Sequence, residues 1–465
     1  MASTTPLQAA GKVELQDITI ISGTGIYNSL LSFLVELNLY EDIYSGGLYG
    51  NVILSDSIGL INKMSIVGEE YITIKFDTPS FNKPIHKTFK CCGIDGRTFT
   101  KDTTTESYVI HFVSPEVFLD HYYPVQRAFE GNVDDIVAEI YEKYIKYPRN
   151  MVIKDNTLTD SEDSTPLCIF TECKKPIKFI SPSWSPMKCL SWLASKVTAS
   201  DDSLQAANFM FFESNKQFYW GSLESMIKEQ RESQIISGIY FYTPGNVKVN
   251  AKQNTVDVDG KIYRTPDITR DFFSIHNILV MNNVNVLENI QTGYLASTYH
   301  ELDVMNKVYT ENNYDHVVSY PNYKHTSTNA NGFFSMDTVR NPYAHKIVGF
   351  KHTGLFTGID NNLNEQAIKV MPIRNSLMAE MNQIKLKLDV HGRTDIELGS
   401  LIYVYYPKSG PKQENDKNTD VRDPFYSGLY IITAIHHRVT LENHTMTMEV
   451  VKDSFGDVNE GAGGV

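Results

Sequence analysis

Apolar and polar positions alternate along most of the first 114 residues. VELQDITII (residues 13–21) and YITIKF (71–76) alternate apolar and polar side chains, the pattern of a half-buried strand. SFLVELNLYEDIYSGGLYGNVILSD (32–56) reads as two strands around a turn at Ser45-Gly46-Gly47, where glycine would supply a positive φ. Ile58, Leu60 and Ile61 suggest a short helical turn before the next strand. Six or more short strands at this spacing predict a barrel or sandwich.

The period changes after SPEVFLDHYYP (114–124). In AFEGNVDDIVAEIYEKYI (128–145), Val133, Ile136, Val137, Ile140, Tyr141 and Tyr144 form one apolar stripe at helical spacing. Asn132 is the expected N-cap with Asp135 in the capping-box position, and Asp134 and Asp135 suit the first turn. KDNTLTDSEDSTP (154–166) is polar and reads as a loop. A second helix is predicted in SWSPMKCLSWLASKV (183–197), capped by Ser185 with Pro186 in its first turn. ANFMFFESNKQFYWGSLESMI (207–227) reads as a hairpin turning at Ser214-Asn215, then a helix capped by Ser222. Strand pattern returns in GIYFYTPGNVKV (238–249) and NILVMNNVNVLENIQTG (277–293). Residues 296–360, rich in Tyr, Asn, His and Ser, read as an irregular excursion or small subdomain. NEQAIKVMPIRNSLMAEMNQIKL (364–386) predicts helix, broken at Pro372. KLKLDVHG (385–392) opens a last β-segment with Leu386, Leu388 and Val390 on one face. KSGPKQENDKNTDVRDP (408–424) reads as a long exposed hairpin loop. The tail DVNEGAGGV reads as frayed.

Two distant stretches share one layout. VGEEYITIKFDTP (67–79), HKTFKCCGIDGRTF (86–99) and ESYVIHFVSPE (106–116) are followed, near the other end, by LGSLIYVYYP (398–407), SGLYIITAIHHRVT (427–440) and HTMTMEVVKD (444–453). Each set has a glycine, an apolar strand, a proline-marked exit, a polar loop, a strand, a tight turn and a closing strand. The expected class is α+β and β-dominated: two similar antiparallel β-barrel modules, an α+β domain and an irregular insertion. The first barrel is assigned to 1–115 and the α+β domain to 116–232. The second barrel is discontinuous, over 233–295 and 380–465, around an inserted irregular or helical subdomain at 296–379.

Composition narrows the function. The chain has 465 residues and a net charge of −13, which opposes broad nucleic-acid binding. Its 27 tyrosines and 23 phenylalanines suit β-sheet. No run of 18 apolar residues exists to span a membrane, and the N-terminus has no secretory pattern. Five cysteines (Cys91, Cys92, Cys168, Cys173, Cys189) read as reduced thiols. No phosphate-binding loop, dinucleotide fingerprint, nucleophile elbow or zinc-protease motif is present. Cys168 and Cys173 lack a second ligand pair, and Cys91 and Cys92 point to opposite sheet faces. His436 and His437, with His444, could gather into a site, although neighbours on a strand split across its faces. His391 and Asp395 flank a turn and could form a dyad. The acid pairs Asp134-Asp135, Glu41-Asp42 and Glu69-Glu70 fit helix starts and strand edges. Trp220, Tyr403, Tyr405 and Tyr406 fit core packing and sheet pairing better than an aromatic platform. Asn443-His444-Thr445 is a formal sequon without meaning outside a secretory route. No catalytic, cofactor-binding or metal-binding residue is assigned, and no cofactor is expected.

YEDIYSGGLYGNVILSDSIGLINKMSIVGEEYITIKF (40–76) resembles the opening barrel of the central baseplate hub protein of contractile-tailed phages. ESYVIHFVSPEVF with QRAFEGNVDDIVAEIYEKYI resembles that family's junction into its second domain. ANFMFFESNKQFYWGSLESM resembles its aromatic hairpin, and SGLYIITAIHHRV with HTMTMEVVKDSF its last barrel. The resemblance implies tube-type barrels and a non-enzymatic homotrimer in the virion tail baseplate, made in the host cytoplasm. It implies a pseudo-sixfold ring between a hexameric tail tube and a trimeric spike. Its channel would admit DNA, without specific binding, or tape-measure protein. A hub or spike component of a contractile secretion system and a tail-associated cell-wall hydrolase are the competing readings.

Overall fold

The computed structural model describes the chain except residues 1–8, 23–25, 80, 82, 100–104, 147–149, 155–156, 162–164, 174–175, 201–205, 243–254, 257–261, 264–270, 305, 328–331, 335–339, 351–362, 408–422, 424 and 456–465. The 408–424 loop and the tail therefore lie almost wholly outside the described residues.

The N-terminal strands are β1 (Glu14–Ile21), β2 (Tyr27–Ser29), β3 (Leu34–Asp42), β4 (Tyr49–Asp56), β5 (Tyr71–Asp77), β6 (Ile85–Phe99) and β7 (Glu106–Val113). Alternation buries one face. Ile18, Leu37, Leu39, Val52, Leu54, Ile72, Ile74, Phe76, Tyr108, Ile110 and Phe112 meet in a single core. Between β4 and β5 the helical turn forms as expected, as α1 (Leu60–Met64). Buried Asp56 accepts from the backbone N–H of Ile58 (2.8 Å), Gly59 (3.0 Å) and Leu60 (2.5 Å), which ties the turn to the strand before it. At the β3–β4 turn the glycines serve another purpose than the one expected. Neither Gly46 nor Gly47 has a positive φ. A Cβ on Gly46 would stand 2.7 Å from Met187 Sδ, and one on Gly47 would overlap Val117, so close approach is what excludes a side chain.

The following domain has its own core. It contains α2 (Pro115–Tyr122), β8 (Val125–Asn132), α3 (Val133–Ile140), β9 (Asn150–Lys154), β10 (Thr157–Ser161), β11 (Leu167–Ile169), β12 (Pro176–Trp184), α4 (Pro186–Ala194), β13 (Phe209–Glu213), β14 (Phe218–Ser222) and α5 (Leu223–Glu232). The stripe of α3 packs against Leu190 and Leu193 of α4, with Phe179, Phe209 and Trp220. Ser185 and Ser222 cap their helices by accepting from Lys188 N–H and Ser225 N–H. Asn132 stands at its cap without a side-chain bond to the backbone; its amide donates to Asp135 instead (3.3 Å). The polar stretch expected as a loop contributes part of a hairpin, because β9 and β10 pair antiparallel.

Beyond this domain come β15 (Ile239–Tyr242), the short pair β16 (Thr255–Val256) and β17 (Ile262–Tyr263), β18 (Ser274–Asn282), β22 (Ile384–His391), β23 (Leu401–Tyr405), β24 (Gly428–Val439) and β25 (His444–Lys452). The ladders β15–β18–β22–β25–β24–β23–β15 close a six-stranded barrel. Its interior holds Leu386, Leu388, Val390, Val404, Ile432, Ile435, Met448 and Val450. Inserted between β18 and β22 are α6 (Val286–Thr292), β19 (Ala296–Asp303), β20 (Val308–Asp315), α7 (His316–Ser319), β21 (Lys346–Phe350) and α8 (Leu363–Glu380). Strands β20–β19–β21 form a three-stranded sheet, so the excursion is more regular than its composition suggests. Pro372 does not break α8, which runs through it. Arg374 donates to the carbonyls of Ala194 (3.2 Å), Ala207 (3.0 Å) and Phe209 (2.9 Å), while Val370 and Leu377 are buried. Tertiary contacts thus hold the helix on both sides of the missing N–H.

The two barrel modules repeat one strand order. The first runs β1–β5–β6–β7–β4–β3 and the second β15–β23–β24–β25–β22–β18. Their irregularities coincide as well. Lys90 of β6 pairs with Tyr71 and Val113, and Ile431 of β24 pairs with Leu401 and Val451. One pair later both ladders slip, between Cys91 and Gly93 and between Ile432 and Ala434. A second bulge lies between Leu34 and Glu36 of β3, and its counterpart between Ile275 and Asn277 of β18. The modules differ in one strand. β1 is antiparallel to β5, whereas β15 runs parallel to β23 and to β18.

Leu388→Ala, which empties a fully buried site in the second barrel, is expected to cost about 2–5 kcal/mol in equilibrium denaturation. Val35→Ala, at a half-exposed site, is expected to change stability by no more than about 0.5 kcal/mol.

Candidate assembly interface

Strand β24 has three neighbours. Its first part pairs with β23 and its second with β3, while β25 lies along the other edge. The β24–β3 ladder runs from Ala434↔Asp42 to Val439↔Leu37 and makes one thirteen-stranded sheet of the two modules. The joint between modules is therefore backbone pairing, which demands a fixed register.

Side chains reinforce that register. His436 and His437 split across the faces of β24. Outside, His436 stacks on Tyr40 (4.4 Å) and hydrogen-bonds Asn38 Oδ1 (2.7 Å), and Arg438 pairs with Glu36. Inside, His437 contacts Glu41 (3.3 Å) and His444 (3.0 Å), and all three are fully buried. His444 reaches Thr78 Oγ1 at 3.5 Å, and Glu41 also accepts from Asn215 N–H (3.1 Å). Two of the candidate histidines thus meet, as part of a structural network across the joint. Burial, and then the neighbouring His437, hold the His444 imidazole well below its ordinary range. Beside it, Thr394 accepts from Thr78 N–H (3.2 Å) and donates to Asp77 (3.1 Å). Arg393 lies between the rings of Phe81 (4.4 Å) and Phe273 (4.7 Å), and also binds Asp395 and Tyr240.

A second joint links the first barrel to the α+β domain. Fully buried Glu213 pairs with Lys87 and accepts from Leu48 N–H (3.0 Å). Burial, and then the charge of Glu213, push Glu116 up to about 7. The insertion is anchored in the same manner. Asp453 accepts from Thr326 N–H and lies 3.3 Å from His325, and within the insertion Glu380 of α8 lies 3.2 Å from His316 of α7. Sequence reading missed Glu213, Asp453 and Arg393, because only the tertiary fold supplies their partners.

The other candidates fall apart or serve packing. His391 meets the ring of His276 (4.3 Å) while Asp395 binds Arg393, so the suggested dyad does not assemble. Cys91 is buried at the β6 bulge and Cys92 is exposed. Cys168 is half-buried and Cys173 is buried. Glu70 accepts from Val67 N–H (2.7 Å) and Gly68 N–H (2.8 Å), and Asp134 from Cys173 N–H (2.6 Å). Trp220 and Tyr403 are buried, and Tyr405 stacks on Phe241 (4.7 Å). Among the described residues no group of His, Cys, Asp and Glu is placed to hold a metal ion. Among them, too, no helix is long and apolar enough to cross a membrane.

Two barrel modules joined edge to edge, with an α+β domain on one side and an insertion in the second, define a fold found in phage tail proteins. The chain is similar to the tail protein of Neisseria meningitidis MC58, with a TM-score of 0.51 at 8% identity, over 94% of this chain and 97% of that one. It is similar also to the 43 kDa tail protein of prophage MuSo2 from Shewanella oneidensis, with a TM-score of 0.51 at 7% identity, over 94% and 98% of the two chains. No protein-family model matches the chain, and no curated protein matches it in sequence. The likeness is one of fold, and it agrees with the hub-type resemblance read from the sequence.

Glu213→Ala, which leaves Lys87 buried without its carboxylate, is expected to cost about 3–5 kcal/mol in denaturant unfolding. The His444 site sets a pH dependence. The imidazole stays neutral in the folded chain, while the unfolded chain protonates it near pH 6.5. Its contribution is therefore present above about pH 6.5 and declines as pH falls below that value. The loss of stability between pH 7.5 and pH 5 is expected to be smaller in His444→Gln than in the parent chain, measured by paired denaturation curves.

Proposed function

We propose that the chain is a structural baseplate hub of a phage tail. Three copies form a pseudo-sixfold ring from six barrel modules. The ring joins a hexameric tail tube to a trimeric central spike and leaves a channel for DNA. One observation carries this reading: each chain holds two modules with the same strand order and coincident bulges, joined edge to edge. A unit that repeats one barrel twice can offer a sixfold partner six similar surfaces while keeping threefold symmetry toward the other. The domain limits of the sequence reading, 1–115, 116–232, 233–295 with 380–465, and 296–379, describe the proposed division of labour, with the two barrels building the ring. The role is mechanical rather than catalytic, and the site of action is the virion tail baseplate.

Native mass spectrometry of the chain, alone and with its tube and spike partners, is expected to give a three-copy species in at least one condition. A chain that stays monomeric in every condition excludes the ring.

A further inference from the structure

Among the described residues, the intrachain joint has an unused counterpart in each module. By the strand correspondence above, β24 matches β6 and β3 matches β18. In β24, the segment past the bulge pairs with β3. In β6, the segment past the bulge, through Phe99, pairs with β7 on one edge. On its other edge β5 stops at Lys90, and no described strand pairs beyond it; the backbone of β9 passes nearby without a ladder. β18 is bound to β22 along its length, but β15 covers only Ser274 and Ile275 of its opposite edge. The rest of β18, from His276 to Asn282, has no charged residue and exposes Leu279 (54%) and Met281 (51%). β6 exposes Phe99 (59%). The uncharged edge of β18 invites another strand, whereas the β6 segment also carries Asp95 and Arg97, the latter paired with Glu106.

The registers also fit. Between its bulge and its end, β6 carries one residue more than β24, at Gly96-Arg97, where the ladder slips between Asp95 and Thr98. β18 likewise carries one residue more than β3, at Met281, where its ladder slips between Val280 and Asn282. The two extra residues fall opposite each other. We propose that β6 of one copy pairs antiparallel with β18 of the next copy. Asp95 lies opposite Asn282, Thr98 opposite Leu279 and Phe99 opposite Ile278. These pairs copy the intrachain pairs His436↔Tyr40, Arg438↔Asn38 and Val439↔Leu37. The contact is head to tail, so repeating it closes a ring or extends a filament. The inference rests on the hub reading and adds to it the strands and register of the contact between copies.

The test places cysteines at Thr98 and Leu279 in a Cys92→Ala background, in the purified chain and in particles assembled in the native host. Oxidation is expected to produce covalent dimers and trimers of T98C/L279C, seen on non-reducing gels. T98C/I278C, one residue out of register and hence facing opposite sides of the sheet, and each single cysteine are expected to stay uncrosslinked. In parallel, Leu279→Asp with Met281→Asp, at half-exposed sites, is expected to preserve the parent melting temperature while reducing the three-copy species to monomer. Trimers that form without the T98C/L279C link, or that survive the double aspartate change, overturn this strand pairing and leave the hub reading standing. A chain that is monomeric throughout overturns both.

Discussion

A β-strand edge is a row of backbone donors and acceptors that must be paired, covered or defended, and this molecule is organised around that constraint. β24 solves it by being longer than any single neighbour. It gives its first residues to β23 and its last to β3, and so carries hydrogen bonding from one barrel into the next. The first barrel does not close on itself through a β1–β3 ladder among the described residues; β3 turns outward to β24 instead. The second barrel closes through short, parallel β15, which covers only the beginning of β18. Each module thus gives one edge to the joint inside the chain, β3 from the first and β24 from the second, while part of β6 and part of β18 pair with no described strand.

The polar groups at the joint set alignment more than stability. A buried Glu41–His437–His444 network in place of apolar residues gains little net energy, because desolvation offsets its hydrogen bonds. A slip of one residue between β24 and β3 would turn each of these groups to the wrong face and leave it unpaired. Arg393 acts similarly from the loop after β22. Its guanidinium is stacked between Phe81 of the first module and Phe273 of the second, and a misdocked pair of barrels would bury that charge without partners. The Lys87–Glu213 pair repeats the device toward the α+β domain.

Strands with alternating burial were readable because period-two patterning is a local signal. β4 and β22 follow it throughout, and the α3 stripe and the Ser185 and Ser222 caps follow their own local rules. The failures share a cause. Pro372 lies in an unbroken helix because Arg374 and the apolar face of α8 are held from outside it. β10 forms in a polar stretch because pairing with β9 satisfies its backbone. Gly46 and Gly47 looked like turn residues, yet Met187 and Val117 from the next domain are what exclude a side chain there. His391 and Asp395 are neighbours in sequence, but His391 meets the ring of His276, more than a hundred positions away, and Asp395 pairs with Arg393, two positions before it.

What the residues alone determined was the existence of two like β-modules, the helical domain between them, and the absence of any familiar catalytic motif. All three rest on spacing within a few dozen residues. Only the folded chain decided that the modules share a strand order and two bulges, that His437 and His444 face each other while His436 points away, and that among the described residues part of β6 and part of β18 lack a partner strand on one edge. Those facts depend on which strand lies beside which. Such adjacency is a property of strand pairing, which at the β24–β3 joint links residues hundreds of positions apart and which no local pattern encodes.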